Sequence, residues 1–302
     1  MDKFLVALER YRVPLVPLHP VVSILPGEWD SVYHGEGFDI DSLRDYRIGD
    51  NIRRVNPRIS AKRGVQTIVD RVTLRDLTVV IYGDATASMR LRSKKVIQIN
   101  AAATLLFSAY KHESSFELAF LGDWKNHLNP RRGEQQFLSL YRRLGSGQDK
   151  KSSKQDFLLA LYQHLHRTIE PHSIVFVISD FLGLYVSGDE REKVLKQLAH
   201  RYDIIPVIVQ DDLEYTFPVF DFPISFVLYD EEAERQRELW LTPEDQREIK
   251  TANEKRFTEL QAAFRNAGIE SIHIDDYSLG GLFGVFSNFF LSRKTRQRLH
   301  SG

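Results

Sequence analysis

The sequence predicts an α/β protein: a doubly wound, mostly parallel sheet with helices on both faces, plus a small β-rich module at the N-terminus. Three observations carry this expectation. Short runs rich in Val and Ile recur from residue 77 onward, as strands buried on both faces require. Stretches of helical period separate those runs, the alternation that builds a parallel sheet. Residues 1–72 have another texture, with Pro14, Pro17, Pro20 and Pro26 breaking any early helix and dense charge thereafter. The expected organisation is therefore an N-terminal module over 1–72 and an α/β domain over 73–302.

Within the module, residues 32–38 and 66–72 read as strands. In the second, Thr67, Val69 and Arg71 alternate with Ile68, Asp70 and Val72. In the larger domain, strands are expected at 77–82, 116–121, 174–178, 204–209 and 269–274, with 126–128 as a short further strand. Between them, Ile99, Ala102, Ala103, Leu106 and Tyr110 share one helical face, as do Phe157, Leu158, Leu161 and Leu165, and Val194, Leu195 and Leu198. A long helix is expected from Pro243, after Thr242, to Ala267, with Gly268 as its stop. Residues 217–241 break the alternation with Pro218 and Pro223, and read as a hairpin-like insertion near the sheet edge. The tail combines Leu282, Phe283, Phe286, Phe289 and Phe290 with Arg293, Lys294, Arg296 and Arg298. That pattern suits a docked terminal helix with cations at its carboxyl end, or an amphipathic helix lying on a membrane.

Composition narrows the chemistry. Among 302 residues there is no cysteine, which excludes disulfides, thiolate metal sites and cysteine nucleophiles. Lys+Arg and Asp+Glu are 41 each, so no net charge draws the chain to nucleic acid. Residues 1–12 lack the apolar core of a secretory signal, and the apolar stretch 279–291 is shorter than the ~20 residues of a membrane span. A cytoplasmic location is expected.

Directly after the first strand of the larger domain comes Gly83-Asp84-Ala85-Thr86-Ala87-Ser88-Met89. One carboxylate and two hydroxyls, each two residues apart, offer hard oxygen donors from a single loop, the donor type Mg²⁺ prefers. The pattern Asp84-x-Thr86-x-Ser88 resembles the metal-ion-dependent adhesion site of von Willebrand factor A domains. Asp180 follows the strand at 174–178. If strand order reverses after the first strand, Asp84 and Asp180 flank the switch point, where ligands of such sheets bind. A cation there would relieve the repulsion between two carboxylates. The plainer reading is that an Asp after a buried strand caps a helix or orders a turn, as Ser and Thr also do.

A longer motif carries a second resemblance. Leu43-Arg44-x-Tyr46-x-x-Gly49-Asp50-x-x-Arg53-x-Val55-Asn56, followed by Ser60-Ala61-Lys62, resembles the signature of the domain-of-unknown-function family 58, which precedes a von Willebrand A-like domain. The resemblance covers nearly the whole chain. It implies a bacterial, non-enzymatic adaptor or effector whose protein partner is a MoxR-type AAA+ ATPase, with Mg²⁺ as the ion of the adhesion site. Two positions depart from the family pattern. Pro57 stands where Trp is usual, and Gln155 stands where the family has the Thr of its second metal loop, with Ser152 or Ser153 as substitutes. The implied site is accordingly degenerate.

Other readings compete. Asp84-x-Thr86 also resembles the nucleophile loop of haloacid-dehalogenase-like phosphatases, with Asp211-Asp212 to hold Mg²⁺. Thr86 then replaces the acid that protonates the leaving group. The mixed charges of Arg44, Arg47, Arg53, Arg54 and Arg58 with Asp39, Asp41, Asp45 and Asp50 read as an internal ion-pair network. His164 and His166 lie two apart on a helix and share no face, and no Gly-rich phosphate loop of the Walker type is present.

Overall fold

A computed structural model describes residues 8–9, 13–18, 40–46, 55–71, 77–90, 92–121, 129–146, 157–182, 189–230, 235–274 and 278–300. The chain divides into two compact units, Met1–Leu18 with Thr78–Gly302, and His19–Leu77. The first Pro-containing segment, read above as part of the N-terminal module, thus belongs to the larger unit.

In the smaller unit β1 (Ile40–Asp45) pairs antiparallel with β2 (Thr67–Arg71). Between them runs a helix that the alternation reading passed over, α1 (Pro57–Arg63). Its punctuation is in the sequence: the Asn56 side chain accepts from the backbone N–H groups of Arg58 and Ile59, Pro57 occupies a position that needs no donor, and Gly64 closes it at φ +71°. The strand expected at 32–38 lies outside the described residues, as does most of the Arg/Asp network. Of that network Asp45 pairs with Arg63 at 3.2 Å on the surface.

From residue 78 the larger unit runs through β3 (Thr78–Asp84) and a 3₁₀ turn (Ala87–Arg90), then α2 (Arg92–Lys111), β4 (Ser115–Leu121), α3 (Glu134–Ser146), α4 (Phe157–Thr168) and β5 (Ile174–Ser179). It continues with α5 (Asp189–Arg201), β6 (Asp203–Ile208), α6 (Asp212–Tyr215), β7 (Ile224–Asp230) and β8 (Arg235–Leu241). It ends with α7 (Pro243–Asn266), β9 (Ile272–His273) and α8 (Leu279–His300). The main sheet has the order β4-β3-β5-β6-β9, and every pair in it is parallel. This is the doubly wound, mostly parallel α/β fold that the strand–helix alternation predicts. The short strand expected at 126–128 lies outside the described residues.

Strand alternation sorts the core into two layers. Val80, Tyr82, Val175 and Val177 cluster with Leu158, Leu161 and Leu165 of α4, Leu195 and Leu198 of α5, and Phe257, Leu260 and Phe264 of α7. On the opposite face the Phe176 ring meets Phe286 and Phe290 of α8 edge-on, at 6.5 and 6.1 Å. The central helix α2 is buried nearly all round from Ala101 to Ala109. The single apolar stripe read from Ile99 to Tyr110 was therefore too narrow, and Ile99 and Tyr110 themselves are only half-buried.

The tail helix is docked. Leu282, Phe286 and Phe290 are fully buried, so its apolar stripe faces the sheet rather than a bilayer. No helix among the described residues is long and apolar enough to cross a membrane. Arg293 anchors the helix, donating to Asp203 Oδ2 at 2.7 Å and Glu270 Oε2 at 2.5 Å. Asp203 Oδ2 also accepts from the backbone N–H of Leu18, and Gln297 donates to the Pro17 and Leu18 carbonyls. Farther along the same strap, the backbone N–H of Val13 donates to Ser108 Oγ. These bonds tie residues 13–18 to the larger unit.

The insertion is a hairpin, but a separate one. β7 and β8 form their own antiparallel sheet rather than extending the main one. Gln246, buried at the start of α7, holds its base: Oε1 accepts from Phe220 N–H, and Nε2 donates to the Phe222 and Leu241 carbonyls. α7 itself opens with a reciprocal cap between Thr242 and Asp245, as the Thr-Pro start predicts.

Candidate functional site

Strand order places the site. β4, next in sequence after β3, lies on one side of it, and β5 lies on the other. The carboxyl ends of β3 and β5 therefore bound the crevice where strand order reverses. Asp84 ends β3, and Asp180 follows the last residue of β5. Both are buried.

Ser179 links the two strand ends, its Oγ donating to Asp84 Oδ2 at 2.6 Å and accepting from Phe181 N–H at 2.9 Å. Asp84 Oδ1 accepts from the backbone N–H of Thr86 at 2.8 Å, the turn-ordering bond of the plainer reading. Asp180 Oδ1 does the same for Leu182 N–H at 3.1 Å. Phe181, between these turns, has φ +55°, a strained value for a residue with a side chain. Its ring is buried edge-on against Phe264, 5.4 Å away, which holds the bend. Thr86 Oγ1 and Ser88 Oγ lie 3.2 Å apart and half-buried. They are the hydroxyls of this loop that reach the rim.

A residue unforeseen in the sequence dominates the electrostatics. Lys94, on the first turn of α2, is only 1% exposed. Its ammonium donates to Asp180 Oδ2 at 2.8 Å and also pairs with Glu214 Oε1 of α6. Burial pushes the Glu214 carboxyl up, opposed by Lys94 and reinforced by Asp180. Burial likewise raises Asp84, against hydrogen bonds from Ser179 and Thr86, with Asp180 adding to the rise. Two amides complete the scaffold. Gln98 donates to the carbonyls of Asp84 and Ile178, and Gln210 donates to that of Asp180. The ends of β3, β5 and β6 are thus tied by side chains after their ladders stop.

Of Ser179, Lys94, Glu214, Gln98 and Gln210, two carry a partial signal in the sequence. Lys94 and Gln98 continue the buried stripe of Ala101 and Leu105 at helical spacing, so they are polar groups on a core face. Nothing in the sequence marks Ser179, Gln210 or Glu214.

Whether these groups suit Mg²⁺ turns on the charge that already sits among them. Each oxygen of Asp84 and Asp180 accepts a hydrogen bond, and one of the four comes from a fixed ammonium. A divalent ion beside that ammonium would meet like charge in a dry setting. The arrangement fits the ion poorly. Gln155, Ser152 and Ser153 of the second loop lie outside the described residues. The phosphatase constellation also fits poorly: Asp211 Oδ1 accepts from Leu213 N–H at the start of α6, and residue 86 carries no acid.

A family model described as protein of unknown function DUF58 matches residues 42–259, well over half of the chain. The chain belongs to that family. No curated protein matches it. Solved structures show remote similarity to this DUF58 chain. A conserved hypothetical protein, BatB from Bacteroides thetaiotaomicron, is 12% identical with a TM-score of 0.40, over 72% of this chain and 99% of that one. The PilB minor pilin from Streptococcus sanguinis is 9% identical with a TM-score of 0.42, over 78% and 66% respectively. The VWA domain of SpRpn10 is 16% identical with a TM-score of 0.27, over 46% and 78%.

Proposed function

We propose that this DUF58 protein is a non-enzymatic interaction module of the cytoplasm, working with a MoxR-type AAA+ ATPase and docking it through the rim formed by Asp84, Thr86, Ser88 and Asp180. The observation that carries the reading is the convergence of the two loops at the switch point, with Ser179 bonded to Asp84 across adjacent strands. The buried acids shape and stiffen the rim, while the half-buried Thr86 and Ser88 hydroxyls meet the partner. A rim braced this way presents its donors and acceptors without further ordering, which lowers the entropic cost of association.

The test is binding of the full chain to a purified MoxR-type AAA+ ATPase. Replacing both hydroxyls, Thr86→Ala with Ser88→Ala, leaves the Ser179–Asp84 and Lys94–Asp180 bonds in place. It is expected to weaken binding at least ~10-fold, at about 1.4 kcal/mol per decade, with an unchanged melting temperature. Equal affinity of the folded double variant and the parent would refute the rim as the docking face.

A further inference from the structure

We infer that the ammonium of Lys94 stands in for a divalent ion, so that the switch-point rim is a lysine-locked site that takes no metal. The inference deepens the docking reading by naming the cation of that same rim. The geometry carries it. Nζ lies 2.8 Å from Asp180 Oδ2, pairs with Glu214 Oε1, and belongs to a side chain 1% exposed. A buried ammonium is retained only where carboxylates surround it. The groups it joins come from three elements: Lys94 from α2, Asp180 from the end of β5 and Glu214 from α6. A metal ion bridges loops in this manner, gathering oxygens from separate segments around one charge.

Lysine supplies the charge differently from Mg²⁺. It is covalently part of the chain, cannot dissociate, and has three donors and no open coordination position. A Mg²⁺ site keeps water ligands that a partner oxygen can displace. With the ammonium already bonded to Asp180 and Glu214, no coordination bond to a partner carboxylate forms here. Recognition falls to the Thr86 and Ser88 hydroxyls and the surrounding backbone, and chelators leave it unchanged.

Titration of Mn²⁺ into the full chain, followed by loss of the free-ion paramagnetic resonance signal, tests this without any partner. A failure here is thus distinct from a failure of docking. The parent chain and Asp84→Asn are expected to behave identically, since any Mn²⁺ they bind lies elsewhere. Mn²⁺ binding by the parent that Asp84→Asn abolishes overturns the inference. Lys94→Met keeps most of the stem and removes the charge. It is expected to acquire a Mn²⁺ site that a further Asp180→Asn change removes, and a folded Lys94→Met chain without such a site also overturns the proposal. Where Lys94→Met does not fold, the comparison of parent with Asp84→Asn decides alone.

Discussion

At the scale of single residues, the larger unit keeps several ionisable groups dry, and they behave differently according to partner. Lys94 is compensated by two carboxylates. Glu117 of β4 is not: it is fully buried beside Val80 in the ladder, and neither carboxyl oxygen has a hydrogen-bond partner. Burial pushes its pKa from the ordinary 4.5 to about 8, with Arg143 pulling the other way. The folded state therefore holds a proton that the unfolded state releases. The contribution of Glu117 is fully present below the unfolded value and is lost as pH rises through about 8. Urea unfolding of the parent against Glu117→Gln is expected to show a gap that moves against the parent between mildly acidic and alkaline pH. A gap independent of pH would contradict this. Legibility at this scale was uneven. Asp84, Thr86 and Ser88 declared themselves by spacing after an apolar strand, and Asp180 by its matching strand end. Lys94 and Glu214 did not, because their meaning depends on helices that only the fold brings together. Gly83 shows the same limit: a Cβ there would lie 2.9 Å from the Phe120 ring and 3.3 Å from Gln98 Nε2, a constraint with no local signature.

At the scale of elements, strands and long helices were readable because their periods and caps are local. β3, β5 and β6 sit within a residue or two of the expected runs, and α7 begins at its Thr-Pro cap. α1 and α3 were passed over, the first because a β-textured segment hid a seven-residue helix with clear caps. The last expected strand shrank to Ile272–His273 at the sheet edge. The tail helix was read with two fates, and packing selects one. Phe286 is fully buried and meets Phe176 of β5 edge-on. Phe286→Ala is expected to cost about 3–5 kcal/mol of stability, the range for emptying a buried aromatic position. Chemical denaturation of the full chain measures this. An unchanged midpoint would mean that α8 does not dock on the sheet and would return the tail to the membrane reading.

At the scale of the whole molecule, the larger unit is a sheet whose carboxyl ends are stapled by side chains from α2, α6 and the loop after β6, leaving a braced rim at the switch point. The parallel α/β layering followed from alternation alone. The hairpin expected at 217–241 forms as β7–β8, a two-stranded sheet of its own. The docking claim concerns where on this surface the partner sits, and hydrogen exchange on the complex reads that location directly. With the MoxR-type ATPase bound, amides of residues 84–90, 180–182 and 211–215 are expected to slow their exchange, while those of the hairpin strands Ile224–Asp230 and Arg235–Leu241 keep their free-state rates. Slowed exchange confined to the hairpin, with the switch-point loops unchanged, would contradict the account.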